Sequence, residues 1–299
     1  MSSAALRTPD ERFEGLPDFP FEPHYATVGG LRLHFVDEGP RDGRVVLLLH
    51  GEPTWSYLYR RMIPPLAAAG FRVVAPDFVG FGRSDKLPRV EDYSYRLHLD
   101  TMRGLLDAVG LDRIALLGQD WGGLIGLRLV ASEPARFSSI VVANTALPSA
   151  SLPMPEAFLR WREYSQRVPE FLAGKVVRKT CLEAIPPEVE AAYDAPFPDQ
   201  SFTAGARAFP MLVPIDASDP ESAENERAWK ELERWRKPLL TAFSDGDPIT
   251  RGGDLIFQRR VPGASGQPHT VIRGAGHFLQ EERGEELARV TIDFLKRAG

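Results

Sequence analysis

The feature that most constrains the fold is an alternation of short apolar runs with longer segments of helical periodicity. The run Arg44–His50 stays apolar until it stops at Gly51, which is typical of a parallel strand covered on both faces. Helical periodicity appears at 56–69, 95–109 and 122–132 and again at 282–296, and it predicts helices between the strands. The eight predicted strands comprise the two arms of a hairpin at 25–36 and the runs 44–50, 71–76, 113–117, 138–144, 238–243 and 269–272. This pattern calls for a mostly parallel, eight-stranded sheet with helices on both faces.

The alternation pauses after Thr145, in a segment rich in Pro, Ser and Ala. From there to about Glu226 the sequence indicates only helices, broken by prolines. We therefore predict a core domain formed by 1–146 and 227–299, with a helical cap, 147–226, inserted after strand six. Because open α/β sheets bind ligands at the carboxyl edge of their strands, the cap should cover a site there.

Composition excludes several classes of partner. The chain of 299 residues has a formal net charge of −5 and contains no long basic run, which argues against nucleic acid or an anionic membrane. Its single cysteine, Cys181, permits no intramolecular disulfide and no cysteine-rich zinc site. No segment has the length of an apolar membrane span, and the N-terminus lacks the apolar stretch of a secretory signal. We expect a cytoplasmic monomer.

The motif that carries chemistry is the segment 118–123, Gly-Gln-Asp-Trp-Gly-Gly, which follows a predicted strand and opens a helix. Small residues on both sides of a central reactive residue are typical of a nucleophile elbow, a sharp turn that raises one side chain above the sheet. The central residue here is Asp120, where serine hydrolases have serine. Asp120 could instead cap the following helix, but the glycines on both sides favour the elbow.

A histidine and an acid stand where such an elbow requires them. The order along the chain should be nucleophile, acid, histidine, with the histidine after the last strand. His277 occupies that place and is the expected base. The loop after the penultimate strand offers Asp247 as the acid, with Asp245 as the second choice. An acid after strand six is disfavoured because Asn144 carries no carboxylate.

An aspartate nucleophile predicts attack on a saturated carbon. The carboxylate is ionised at pH 7, and displacement of a leaving group would form an alkyl ester on Asp120. His277 would then activate a water molecule to hydrolyse that ester. The oxyanion formed in this step needs backbone N–H donors, and we expect them from Trp121 and Glu52. This chemistry requires no metal and no organic cofactor.

Two leaving groups fit this nucleophile, a halide ion and the oxygen of an epoxide. A halide needs weak hydrogen-bond donors in an apolar pocket, and indole N–H groups are donors only. Trp121 and Trp161 could supply them, although Trp161 could equally serve cap packing. An epoxide needs an acid, such as a cap tyrosine, and Tyr164 and Tyr193 keep that alternative open. A non-catalytic binding protein is disfavoured because nucleophile, base and acid are all present.

Four segments resemble the haloalkane dehalogenases, most closely the dichloroethane-type subfamily. They are 50–59 (HGEPTWSYLY), 75–85 (APDFVGFGRSD), 119–123 (QDWGG) and 276–281 (GHFLQE). The resemblance extends into the cap at 195–199 (APFPD) and at Phe209-Pro210. The segment QDWGG is shared with epoxide hydrolases, which usually have an aromatic residue in place of Glu52.

The resemblance implies an α/β-hydrolase fold that releases halide and a primary alcohol from haloalkanes. It assigns Asp120 as nucleophile, His277 as base and Asp247 as acid. It also assigns Trp121 and a cap tryptophan to the halide, and the early position of Trp161 in the cap matches that tryptophan, whereas Trp229 and Trp235 come too late. The expected substrate-pocket residues are Leu124, Phe209 and Pro210.

Overall fold

The computed structural model describes residues 5–149 and 153–298, and its centre is one eight-stranded sheet. The strand order is β1-β2-β4-β3-β5-β6-β7-β8, with β2 antiparallel to β1 and β4 and the pairs from β4 to β8 parallel. The predicted sheet is therefore confirmed. Its strands are β1 His24–Val28, β2 Leu31–Glu38, β3 Val45–Leu49, β4 Arg72–Pro76, β5 Ile114–Gln119, β6 Phe137–Ala143, β7 Leu239–Ser244 and β8 Thr270–Ile272.

Ten α-helices lie in the described parts of the chain. Five of them lie between other pairs of strands or after β8, and the remaining five all lie between β6 and β7. They are α1 Ile63–Ala68, α2 Tyr95–Val109, α3 Trp121–Ser132, α4 Glu156–Arg167, α5 Ala173–Thr180, α6 Pro187–Asp194, α7 Ala204–Leu212, α8 Pro220–Leu232, α9 Gly253–Arg260 and α10 Leu279–Arg297.

The core forms because the central strands are apolar on both faces. Every residue of β3 and β5 is buried, as the uninterrupted apolar runs predicted. Helix α1 packs against α10, while α2 and α8 pack against α3, so the sheet is covered on two sides. This arrangement places the carboxyl ends of β3, β5, β6 and β7 along one edge.

Two boundaries and one helix are the main differences from the prediction. The helix expected over 56–69 is a 3-10 turn at Ser56–Tyr59 followed by α1, because Pro64 and Pro65 are tolerated in the first turn of a new helix but not in a helix interior. Helix α9 was not predicted, and Phe257 is its one buried residue, so its apolar periodicity is weak. The predicted cap boundary at 226/227 falls inside α8.

Helix α8 belongs with the core at least along its contact with α3. Arg128 of α3 donates to Glu221 at 2.9 Å and to Asn225 at 2.9 Å. Both acceptors precede residue 227, the first residue assigned to the core after the cap. The division into a core and a cap stays a prediction.

Helices α4 to α7 form the insertion after β6, as expected, and prolines separate them. Two buried contacts join the insertion to the core and the N-terminal segment: the Trp55 indole N–H donates to the Ala192 carbonyl at 3.1 Å, and the Thr8 hydroxyl donates to the Pro196 carbonyl at 2.6 Å. Across residues 5–149 and 153–298, no helix combines the length and apolar character needed to cross a membrane.

Candidate active site

Asp120 stands at the turn between β5 and α3 in a strained backbone conformation. Its φ of 49° and ψ of −124° are unusual for a residue with a side chain. Two bonds hold this turn: the Asp120 N–H donates to the Asn144 carbonyl at 3.0 Å, and the Thr145 hydroxyl donates to the Asp120 carbonyl at 2.7 Å. These two hydrogen bonds to the residues that follow β6 therefore hold the turn in its strained conformation.

The glycines around Asp120 are required by close packing. A Cβ atom on Gly122 would lie 1.8 Å from the Leu49 carbonyl oxygen, and one on Gly123 would lie 2.0 Å from the Thr145 hydroxyl. A Cβ on Gly118 would lie 2.8 Å from the Gly122 carbonyl oxygen. The turn thus presses against β3 and β6, as a nucleophile elbow must.

The Asp120 carboxylate is held by one backbone donor and lies close to an imidazole. The Glu52 N–H donates to Asp120 Oδ1 at 2.8 Å. His277 Nε2 lies 3.5 Å from Asp120 Oδ2. The structure therefore brings together the predicted nucleophile, one predicted oxyanion donor and the predicted base. Among the described residues, no hydrogen bond from the Trp121 N–H to this carboxylate is found, and its part in the oxyanion hole stays a prediction.

Asp247 is the carboxylate that pairs with Nδ1 of His277. The two are joined by Asp247 Oδ2 and His277 Nδ1 at 2.9 Å, and both side chains are buried. The second choice, Asp245, instead accepts the Gly274 N–H at 2.8 Å. Asp247 is itself held by the Ile249 N–H at 2.8 Å and by the Thr250 hydroxyl at 2.5 Å.

The charges of this cluster shift the pKa values of its members in opposite directions. Burial raises the pKa of Asp247, but the His277 charge and the hydrogen bonds to His277, Thr250 and Ile249 outweigh it and lower the pKa to about 2. Burial lowers the pKa of His277, but Asp247 and Asp120 outweigh it and raise the pKa to about 10. The two neighbouring carboxylates therefore favour the protonated form of the His277 imidazole.

Two residues that orient His277 were not predicted. The Asn144 side-chain amide donates to the Gly276 and His277 carbonyls, both at 3.0 Å. The Gln119 amide donates to the His277 carbonyl at 3.2 Å and lies 3.3 Å from His277 Nε2. Both residues sit at strand ends beside the elbow, and a polar residue ending an otherwise apolar strand is the signal that could have identified them.

A cavity of about 480 Å³ lies between the cap and the sheet edge, above this cluster. Its walls are mostly apolar, and its floor includes Asp120, His277 and Glu52. Of the expected pocket residues, Leu124 and Pro210 line it. Phe209 does not, because its ring stacks behind Trp121 at 4.4 Å between centroids and is fully buried. The part of Phe209 in the substrate pocket stays a prediction.

Comparison with known proteins bears directly on this geometry. A family profile described as alpha/beta hydrolase fold matches residues 44–284. A haloalkane dehalogenase of Psychrobacter cryohalolentis is 51% identical over 295 residues, which cover 97% of this chain and 97% of the relative. A haloalkane dehalogenase of Mycobacterium marinum is 49% identical over 294 residues, which cover 97% of this chain and 99% of the relative.

A solved structure has a similar fold. It is the haloalkane dehalogenase DpaA from Paraglaciecola agarilytica NO2, with a TM-score of 0.88 and 37% identity, and the match covers 96% of this chain and 97% of that chain.

This chain belongs to the haloalkane dehalogenase family.

The resemblance found in the sequence and the α/β-hydrolase fold are thus confirmed. DpaA is described as tetrameric. The expected monomeric state of the present haloalkane dehalogenase stays a prediction.

Two of the tryptophans that line the cavity have an indole N–H that donates to no backbone carbonyl in the described parts of the chain. Trp121 and Trp161 both line the cavity, and among the described residues neither makes a hydrogen bond to a carbonyl. Trp229 also lines it, but its N–H donates to the Leu147 carbonyl at 2.9 Å. Trp235 is buried and is not among the lining residues. The cavity therefore favours Trp161 over Trp229 as the partner of Trp121.

Glu52 is a buried carboxyl group beside the nucleophile. Burial and the neighbouring charge of Asp120 raise its pKa well above the ordinary value, while His277 and the Trp161 indole N–H act in the opposite direction. Among the described residues, Glu52 Oε1 has no hydrogen-bond partner. A protonated Glu52 can donate a hydrogen bond into the cavity without adding a second negative charge next to Asp120.

The tyrosines that kept the epoxide alternative open are placed differently. Tyr164 lines the cavity. Tyr193 is fully buried away from it, and its hydroxyl donates to Glu281 at 2.6 Å. A pair of tyrosines above the nucleophile is therefore not formed by these two residues. In the described parts of the chain, no group of His, Cys, Asp and Glu side chains is arranged to hold a metal ion.

Proposed function

We propose that this protein hydrolyses haloalkanes to an alcohol and a halide ion through a covalent ester on Asp120. The observation that carries the proposal is the elbow carboxylate, which faces an apolar cavity and lies 3.5 Å from the buried imidazole of His277. A carboxylate in that place suits substitution at a saturated carbon, because attack on a carboxylic ester would give an anhydride.

In the first step, the Asp120 carboxylate attacks the carbon that bears the halogen. A carbon–oxygen bond forms, the carbon–halogen bond breaks, and the electron pair leaves with the halide. The indole N–H groups of Trp121 and Trp161 would stabilise this anion, because within residues 5–149 and 153–298 neither donates to a backbone carbonyl. The elbow contributes by holding the carboxylate in place before substrate binds.

In the second step, water attacks the carbonyl carbon of the ester and His277 Nε2 takes the proton. Formation of the ester removes the negative charge of Asp120, which is one of the causes that raise the pKa of His277. That pKa therefore falls when the ester forms, so the imidazole passes the proton that it carries to solvent and then acts as a base while Asp247 keeps it oriented. The Glu52 N–H supports the developing oxyanion. The tetrahedral intermediate then collapses: the bond from its carbon to the alkoxy oxygen breaks, His277 gives its proton to that oxygen to form the alcohol, and the Asp120 carboxyl group loses its remaining proton to solvent.

The experiment is a trap for the intermediate. His277→Phe should form the ester but not hydrolyse it, so incubation with 1-bromobutane should add a butyl group to the peptide that contains Asp120, observed by mass spectrometry. The double variant with Asp120→Asn should show no adduct. Rapid release of one bromide per enzyme with no adduct on Asp120 would contradict the covalent scheme. Styrene oxide, tested in parallel, should not be a substrate of the wild type.

A further inference from the structure

The cavity has a charge distribution that the hydrolysis of a neutral haloalkane does not require. Its acidic lining residues are Glu52 and Asp120, and both lie on the floor. Apart from His277, the described parts of the chain contribute four basic lining residues, which come from four different elements. They are Arg160 of α4, Lys179 of α5, Arg251 of the loop after β7 and Arg260 of α9.

The four basic residues line the cavity and also contact solvent. Arg160, Lys179 and Arg251 are exposed, and Arg260 is partly exposed, whereas Glu52 is buried. From this combination we infer that these cations stand near the opening and form a basic rim around the entrance. We use this name, the basic rim, for Arg160, Lys179, Arg251 and Arg260.

The charge of the rim is opposite in sign to the net charge of the whole chain. The sequence has 36 basic and 41 acidic residues, so acids should be at least as frequent as bases at an arbitrary surface site. Two rim members are already paired, Arg160 with Glu156 and Arg260 with Glu233 at 2.8 Å. Arg260 also stacks on the Trp229 ring at 4.0 Å, which fixes it against the cavity wall.

The other two cations have no acidic partner. Among residues 5–149 and 153–298, neither Lys179 nor Arg251 makes an ion pair, and the Lys179 ammonium lies 5.8 Å from the centroid of the Tyr164 ring. Since the cap carries Lys179 and the core carries Arg251, an anion at the entrance would contact both domains. Such an anion would lie at one end of the cavity while the nucleophile lies at the other.

We propose that the preferred substrates are haloalkanes with an anionic group, such as a carboxylate, at the end opposite the halogen. The apolar walls take the methylene chain, the floor takes the halogen-bearing carbon, and the basic rim takes the carboxylate. This inference rests on the proposed function and specifies its substrate class. It also predicts an optimum chain length, because the two ends of the substrate must reach the floor and the rim together.

The test compares bromide release from ω-bromoalkanoates with that from the corresponding ω-bromoalkanamides, which have the same shape and no charge. The readout is the ratio of kcat/KM for carboxylate over amide, measured for chains of four, six and eight carbons. In the wild type the ratio should exceed one, peak at one chain length, and fall as salt is added.

The double variant Lys179→Gln/Arg251→Gln should lower this ratio roughly five- to tenfold, as expected for two partly exposed charge contacts. The matched control is Lys175→Gln/Arg259→Gln, because these exposed cations lie on α5 and α9 but do not line the cavity. It should leave the ratio unchanged.

Three results would overturn the inference: a wild-type ratio below one, an unchanged ratio in the double variant, or an equal loss for carboxylate and amide. Equal loss would show that the rim acts on the departing halide and not on the substrate. Failure of the proposed function looks different, since the wild type would then release no bromide from 1-bromobutane either.

Discussion

Replacing Trp161 with phenylalanine tests the halide site most directly, because it removes one N–H and keeps an aromatic ring of related shape. Trp161 and Trp229 both line the cavity, but the Trp229 N–H is already bonded to the Leu147 carbonyl at 2.9 Å. If a free indole N–H is what binds the halide, the two substitutions should have different effects.

The magnitude follows from the value of a hydrogen bond to an ion. Such a bond contributes about 1.5–3 kcal/mol, and about 1.4 kcal/mol corresponds to a tenfold change in affinity. The Trp161 N–H also acts on the Glu52 carboxyl group, so part of its donor capacity is used before the halide arrives. The lower end of the range is therefore expected, and Trp161→Phe should weaken bromide binding roughly tenfold.

The assay is isothermal titration calorimetry of bromide, which does not depend on tryptophan fluorescence, supported by the inhibition constant of bromide during turnover. Trp229→Phe, the matched control, should change bromide affinity less than about twofold, because its N–H is occupied in the folded protein. A Trp161→Phe variant that binds bromide as tightly as the wild type, or a Trp229→Phe variant that loses more affinity, would refute the assignment.

Three further predictions concern the elbow, the base and a buried ion pair. Gly122→Ala should destabilise the protein by about 3 kcal/mol or more in urea denaturation, since its Cβ would meet a backbone oxygen of β3 at 1.8 Å; a loss below about 1 kcal/mol would contradict the packing. Asp120→Asn should lower the pKa of His277 from about 10, measured by NMR, because it removes a carboxylate that raises it. The stability that the wild type gains from this raised pKa is complete below about pH 6.5 and lost as pH rises toward 10, and the loss should be smaller in the variant. Glu281→Ala should cost about 3–5 kcal/mol, because it leaves the fully buried Arg60 guanidinium without the carboxylate that it contacts at 2.6 Å; an unfolding free energy within 1 kcal/mol of the wild type would argue against this.

Much of the fold could be predicted because its signals are local. The apolar runs of β3 and β5 are buried on both faces, and a run of that kind has few alternatives to a parallel central strand. Helix α2 begins and ends at the predicted residues, Tyr95 and Val109, because Ser94 caps its start and Gly110 adopts the left-handed conformation at its end. Helix α9 was not predicted because it buries few apolar side chains and so has weak apolar periodicity.

The site could be predicted in part for the same reason. A nucleophile elbow is specified by five or six consecutive residues, and the glycines that flank Asp120 are those that its packing against β3 and β6 requires. The choice between Asp247 and Asp245 could not be settled with the same certainty, since the two are separated by one residue. It depends on which of them the loop turns toward His277, and the bonds from Ile249 and Thr250 turn Asp247.

The sequence by itself determined the order of the strands, the insertion after the sixth strand and the aspartate at the centre of the elbow, since each follows from a short segment and its own backbone preferences. The tertiary structure alone decided that Phe209 packs against Trp121, that the Trp229 N–H is occupied, and that cations from four elements line one cavity. These facts depend on contacts between residues far apart in the chain, and such contacts form only when the cap and the sheet pack together.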